Sequence, residues 1–264
     1  MDLQLKGKTA FISGSTQGIG FAIALQLLKE GASVTINGRT EDRVKEAVQK
    51  LQQQVPGATV SGVAADFSKA ADVNKLIDKL PVVDILVNNA GIFEPKPFEE
   101  ITDEEWLRFF EVNVLSGVRL SRHYFQHMLQ QNWGRIIFIS SESAVMIPEE
   151  MIHYGMTKTA QLSISRGLAE LTKNTNVTVN TVMPGPTKSE GVVEFIKQVG
   201  ISKGITPEEA EKDFFKTMRP SSLIQRFADV SEIANLVTYV ASPLSSATNG
   251  AALRADGGLV KSIV

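Results

Sequence analysis

A short apolar run, Thr9-Ala10-Phe11-Ile12, leads straight into Ser13-Gly14-Ser15-Thr16-Gln17-Gly18-Ile19-Gly20, and a helical pattern follows to about Lys29. Few folds are open to a chain that passes from strand to helix on three glycines. Glycine lets the backbone turn tightly and come close to a bound group, and the free N–H groups at a helix start attract negative charge. A strand, a glycine turn and a helix in that order form the opening of a βαβ unit that grips a dinucleotide pyrophosphate. The residues assigned to that cradle are Gly14, Ser15, Thr16, Gln17, Gly18, Ile19 and Gly20. Gly31 then supplies a helix stop.

Beyond this unit, short apolar runs alternate with amphipathic stretches almost to the end of the chain. Further strands are expected near Ser33–Asn37, Thr59–Ala64, Asp84–Val87, Arg135–Ile139 and Val177–Val182, each one helix from the next. Helix starts are marked by Thr102 with Glu105, Thr206 with Glu209 and Asp229 with Glu232, a capping oxygen three residues before a glutamate. Such alternation predicts an α/β fold, a Rossmann-type doubly wound parallel sheet of about seven strands with helices on both faces. No repeat or linker divides residues 1–264, so one dinucleotide-binding and catalytic domain is expected. Prolines and glycines interrupt the pattern between Pro184 and Ser222, around a short helix after Thr206. That segment, about 186–222, is expected to fold over the site as a substrate lid.

Composition removes several classes of function. With 27 basic against 29 acidic residues there is no positive field to condense on nucleic acid or anionic lipid. The chain has no cysteine, so thiol nucleophiles, disulfides and thiolate metal sites are excluded. No apolar run is long enough to span a bilayer, and the amino terminus lacks a signal pattern, so a cytoplasmic location is expected. His123 and His127 are four apart but have no evident third ligand, and no metal is expected. His153 is read as a packing residue.

Tyr154 and Lys158 are also four apart in a helical stretch, so both side chains project toward one place. A free phenol titrates near 10 and is a poor base at neutral pH; a nearby ammonium favours the phenolate. Ser140, Ser141 and Ser143 follow an apolar strand, and any of their hydroxyls can bond a substrate oxygen that gathers negative charge.

The three-then-one spacing of the glycines begins a resemblance to the short-chain dehydrogenase/reductase family. Its motifs continue in order with Asp66, Asn88-Asn89-Ala90-Gly91, Asn113, a serine near 141, Tyr154 with Lys158, Pro184-Gly185 and the closing Arg254-Ala255-Asp256-Gly257-Gly258. The resemblance, closest in kind to 3-oxoacyl-carrier-protein reductases, covers nearly the whole chain. It implies hydride transfer between a nicotinamide dinucleotide and a ketone or secondary alcohol. By it Ser141, thirteen residues before Tyr154, is the serine of the reacting set. Asn113 holds a relay water toward the lysine, and Lys158 also bonds the nicotinamide ribose. Asp66 and Phe67 hold the adenine, Asn89, Ala90 and Gly91 line the cofactor channel, and Pro184, Gly185 and Thr187 touch the nicotinamide end. It further implies a homodimer or homotetramer built on helices near 103–130 and 151–173. Ala144 in place of a frequent glycine, and Glu142 directly after the serine, depart from the family pattern.

An acidic residue at the end of the second strand bonds the ribose hydroxyls of NAD and repels a 2′-phosphate. This chain has Gly38 there, followed by Arg39, whose guanidinium suits a phosphate. NADP(H) is therefore the expected cofactor, with NAD(H) as the alternative.

Overall fold

The computed structural model describes residues 2–263. Seven strands form one sheet in the order β3-β2-β1-β4-β5-β6-β7, and every neighbouring pair is parallel. They are β1 (Thr9–Ile12), β2 (Ser33–Gly38), β3 (Val60–Ala64), β4 (Ile85–Asn88), β5 (Gly134–Ile139), β6 (Val177–Pro184) and β7 (Ala252–Ala255). The central strands β4, β5 and β6 are buried along their whole length, as parallel strands covered on both faces must be. Their side chains feed two cores. On one face, Ile23, Leu27 and Leu28 of α1 (Gly18–Lys29) pack with Ile233, Val237 and Val240 of α9 (Val230–Ala241) against Ile12, Ile36 and Val87. On the other, Leu120, Tyr124 and Met128 of α5 (Ser116–Gln130) pack with Val73 and Leu76 of α3 (Ala70–Lys79) against Phe11, Leu86 and Phe138.

The order of the sheet reverses between β1 and β4, which opens a crevice beyond their carboxyl ends, the position where doubly wound folds bind ligands. Both the glycine run and Asn89-Ala90-Gly91 lie at that edge. All three expected capping boxes form, at the starts of α4 (Asp103–Phe110), α8 (Pro207–Thr217) and α9. Between α4 and α5 the helix widens into a π turn over Glu111–Leu115, which carries Asn113.

Two elements differ from the sequence reading. The seventh strand, β7, has no run of its own to announce it: it is an edge strand of four residues, two of them exposed. The segment after β6 holds α7 (Glu190–Lys203) as well as α8, where only the second helix was expected. Ser189 caps α7 by accepting from the Val192 N–H, and Gly204, with φ +65°, ends it in the left-handed region. These two helices share a small core of Ile196, Ala210, Phe215 and Phe227, separate from the cores on the sheet.

Candidate active site

A cleft of about 570 Å³ runs along the carboxyl edge of the sheet, and the expected site residues that line it come from strand ends, the turns after them or the helices that follow. Gly14, Thr16, Gln17, Gly18, Ile19 and Gly20 form its floor, while Ser15 is buried behind them with its hydroxyl on the Ile12 carbonyl. Gly14 and Gly18 have φ near +60°, which favours glycine. A Cβ on Gly20 would lie 2.4 Å from Asn89 Nδ2, so its hydrogen at that position is what admits the asparagine. Asn89 Nδ2 donates to the carbonyls of Ser13 (3.0 Å) and Gly14 (2.8 Å), tying the β4 turn to the glycine loop.

Residues the sequence reading passed over complete this loop. The Ser13 hydroxyl accepts from the N–H groups of Asn89 and Ala90, both at 2.9 Å. The buried Asn37 side chain accepts from Gly14 N–H at 3.0 Å and donates to the Val63 carbonyl at 3.1 Å. Thus β1, β2, β3 and β4 all hold the turn.

A dinucleotide fits this cradle. Thr40, Thr102, Ser189, Thr206 and Asp229 cap their helices with side-chain oxygens, whereas α1, which follows Gln17, has no side-chain cap and no acidic residue in its first turn, and unlike the equally uncapped α5 it does not continue from an earlier helical turn. Its first N–H groups and the positive end of its dipole are left for an anion in the cleft. At the far end, Asp66 and Phe67 line the cleft with Arg39 and with Arg43, which the sequence reading did not single out. Burial pushes the Asp66 carboxyl up, but donation from the Ser68 hydroxyl and N–H, with Lys69 and Arg39 nearby, outweighs it and holds the group below its usual value. A Cβ on Gly38 would lie 2.5 Å from Thr16 Cγ2 and 3.2 Å from Val44 Cγ2, so any side chain there would have to move theirs.

At the other end Ser141, Tyr154 and Lys158 line the cleft together with Gly91, Pro184, Gly185 and Thr187. A Cβ on Gly185 would meet the backbone of Asp256 at 2.7 Å, so Pro184-Gly185 packs directly on the turn after β7. Tyr154 and Lys158 lie on α6 (Ile152–Glu170), with the ammonium 5.5 Å from the phenol ring centre. Lys158 Nζ donates to the Ile139 carbonyl at 2.9 Å and to Gln161 Oε1 at 3.4 Å, and burial pushes it down to about 8. Asn113 does not line the cleft. Its side chain holds Ile92 by both N–H (2.8 Å) and carbonyl (3.0 Å) and donates to Thr157 Oγ1, and its own carbonyl accepts from Gln161 Nε2 at 2.6 Å. Gln161, another residue the sequence reading missed, therefore joins Lys158 to the π turn. His153 packs between Trp106 and Phe109, whose ring centres are 5.9 and 4.0 Å from its own.

The three candidate serines separate by their partners. Ser140 Oγ donates to the Lys158 carbonyl at 2.9 Å and braces α6. Ser141 Oγ accepts from Ser143 N–H at 3.1 Å and donates to Glu142 Oε2. Glu142 is itself buried, with Arg219 Nε at 3.8 Å from its other oxygen, and Arg219 Nη2 also pairs with Glu150 at 3.2 Å. Burial, and then Glu142, push the Tyr154 phenol well above its ordinary value. The sequence reading expected the opposite shift; it weighed Lys158, and the burial of the Glu142 carboxyl near the phenol arises only in the fold.

The short chain dehydrogenase family model matches residues 8–199. The chain belongs to that family. Members act as oxidoreductases on CH–OH groups with a nicotinamide dinucleotide, and that activity holds for this chain. It is 54% identical over 263 residues to the uncharacterized oxidoreductase YvaG of Bacillus subtilis, covering 100% of both chains. A second uncharacterized oxidoreductase of that organism, YvrD, is 48% identical, again over 100% of both. Among solved structures, L-sorbose reductase from Gluconobacter frateurii, complexed with NADPH and L-sorbose, matches with a TM-score of 0.94 at 31% identity, covering 100% of both chains. As a member of this dehydrogenase family the chain keeps the fold from end to end.

Proposed function

We propose that the protein is an NADPH-dependent reductase of small ketones, with Ser141, Tyr154 and Lys158 as its reacting set. The observation that carries this reading is the meeting, in one cleft, of the α1 glycine cradle, two guanidiniums at the adenosine end and the serine, tyrosine and lysine at the other. A bound dihydronicotinamide supplies the hydride that reaches the carbonyl carbon. The chain's residues do the rest: Tyr154 Oη gives its proton to the carbonyl oxygen, and Ser141 Oγ orients that oxygen and offsets its growing charge. Lys158 provides an ammonium beside the phenol as it becomes phenolate, and bonds the nicotinamide ribose. Asn113 fixes Ile92 and, through Gln161, the lysine. Residues 186–222 act as the lid: Val192, Phe195 and Phe214 face the cleft from their own small core, which lets them move without disturbing the sheet.

The choice of NADP(H) rests on Arg39 and Arg43 beside Gly38, which leaves the end of β2 without a ribose-binding acid. A guanidinium bond to phosphate is worth about 1.5–3 kcal/mol, so Arg39→Ala and Arg43→Ala should each raise the KM for NADPH about tenfold or more. The KM for NADH should hardly move. Wild-type preference for NADH would overturn this choice.

The substrate end holds Glu142, Glu150 and Arg219, which favours a ketone bearing polar groups near its carbonyl. Phe93, Phe195 and Phe214, which also line the cleft, favour the second reading, a 3-oxoacyl substrate. Following the loss of reduced-nicotinamide absorbance with polyhydroxy ketones and with 3-oxoacyl thioesters decides between them. No turnover of any ketone with either dinucleotide would remove the reductase reading altogether.

A further inference from the structure

We propose that Glu142 is a positioning residue that works in its protonated form, turning the Ser141 hydroxyl toward the substrate oxygen. This rests on the reductase reading and deepens it.

A serine hydroxyl has one proton to donate and two lone pairs to accept with. Here Ser143 N–H fills one lone pair, and the proton is given to Glu142 Oε2. A ketone oxygen has no proton of its own, and its charge grows as hydride arrives, so it needs a donor. With Glu142 ionised, Ser141 meets that need only by breaking a charge-assisted bond to a buried carboxylate. With Glu142 protonated, the carboxyl O–H donates to the second lone pair of Ser141 and the serine proton is released for the substrate. All three bonds of the hydroxyl are then satisfied at once. The protonated carboxyl is not consumed: the hydride goes to carbon, and the proton on oxygen comes from Tyr154.

The surroundings favour that proton. Glu142 is 6% exposed, and burial drives its carboxyl upward against the Ser141 bond and the Arg219 charge. Arg219, the cation facing it from the end of α8, is shared with Glu150 from the turn before α6, which holds the closer pair: 3.2 Å against 3.8 Å. From α6, Tyr154 and Lys158 also face it, and an ionised Glu142 pushes the phenol up and the ammonium up. Burial thus favours the protonated forms of both Tyr154 and Glu142, in which the phenol has a proton to give and the serine is free to donate to the substrate oxygen.

The test uses the full-length protein. In Glu142→Gln the amide N–H donates to Ser141 as the carboxyl O–H does, but cannot ionise. Wild-type kcat/KM for ketone reduction at saturating NADPH should fall at alkaline pH with the loss of two protons, from Glu142 and Lys158. The glutamine variant should fall with the loss of one, and its kcat below that limb should stay within about tenfold of wild type. Glu142→Ala, which leaves Ser141 without a second donor, should lose about 10²-fold in kcat at every pH, in the range seen for removal of one transition-state donor. Identical profiles for wild type and Glu142→Gln, or a glutamine variant as impaired as the alanine one, would overturn the proposal. Infrared difference spectra across the same titration give a reading independent of turnover. A carboxylic-acid C=O band present at neutral pH in wild type and absent from Glu142→Gln is expected, and a carboxylate ionised at neutral pH would refute it. A wild type that shows the band but reduces no ketone would sink the reductase reading alone.

Discussion

Tyr154→Phe should lower kcat for ketone reduction by about 10³-fold, within the range that a positioned acid contributes, while NADPH binds nearly as before. Phenylalanine keeps the ring, its edge contact with Phe93 at 6.4 Å and its place above the Lys158 ammonium. What it removes is the Oη proton that, in the proposed reaction, passes to the product alcohol. Burial and the neighbouring Glu142 hold the phenol above its usual value, so the acid form is populated through neutral pH and reduction needs no rise in pH. The reverse reaction needs phenolate, so alcohol oxidation by the wild type should quicken as pH rises, and the variant should show no such gain. Nucleotide titration by fluorescence separates binding from chemistry. A variant with wild-type turnover would take the proton donor's role away from Tyr154.

The glycine run, the capping boxes and the strands up to β6 were legible because each is a local signal: a period, a spacing or a cap. The strand expected at Arg135–Ile139 begins at Gly134, and the one expected at Val177–Val182 runs on to Pro184, differences at fraying ends. By contrast β7 gains its place by pairing with β6 from Thr181↔Ala252 to Pro184↔Ala255, a register that no pattern within four half-exposed residues can announce. The site follows the same rule. Tyr154, Lys158 and the glycines are legible because their chemistry sits within one helix or one turn. Asn37, Gln161 and Arg219 are not, because each matters through a partner 23 to 77 positions away in the chain and on another element: Asn37 through Gly14, Gln161 through Asn113, Arg219 through Glu142. Glu142 stood out as a departure from the family pattern, but its effect on the phenol depends on burial, which arises only when the turn after β5 closes against α6.

Lys158→Met should give a protein without turnover whose stability responds to pH less steeply than the wild type's. The wild-type ammonium is buried and its pKa falls from the ordinary 10.5 to about 8. Between those values the unfolded chain binds the proton more tightly than the folded one, so wild-type stability rises as pH climbs from about 8 and levels off above about 10.5. Below about 8 the folded state carries the whole cost of the buried charge, about 3 kcal/mol at 1.36 kcal/mol for each pH unit. Methionine removes that cost at every pH. It also leaves the Ile139 carbonyl and Gln161 Oε1 without the lysine donor, which costs about 1–3 kcal/mol and does not vary with pH. The two penalties nearly cancel at neutral pH, so urea denaturation of the two proteins there should give similar free energies. At pH 10 the wild type should be the more stable by most of the 3 kcal/mol, and parallel stability curves across that range would show that Lys158 does not carry a buried charge. Saturating NADPH should widen the gap at neutral pH as well, because a ligand at a hundred times its Kd adds about 2.7 kcal/mol only to a fold that binds it, and Lys158 is the residue we propose to hold the nicotinamide ribose.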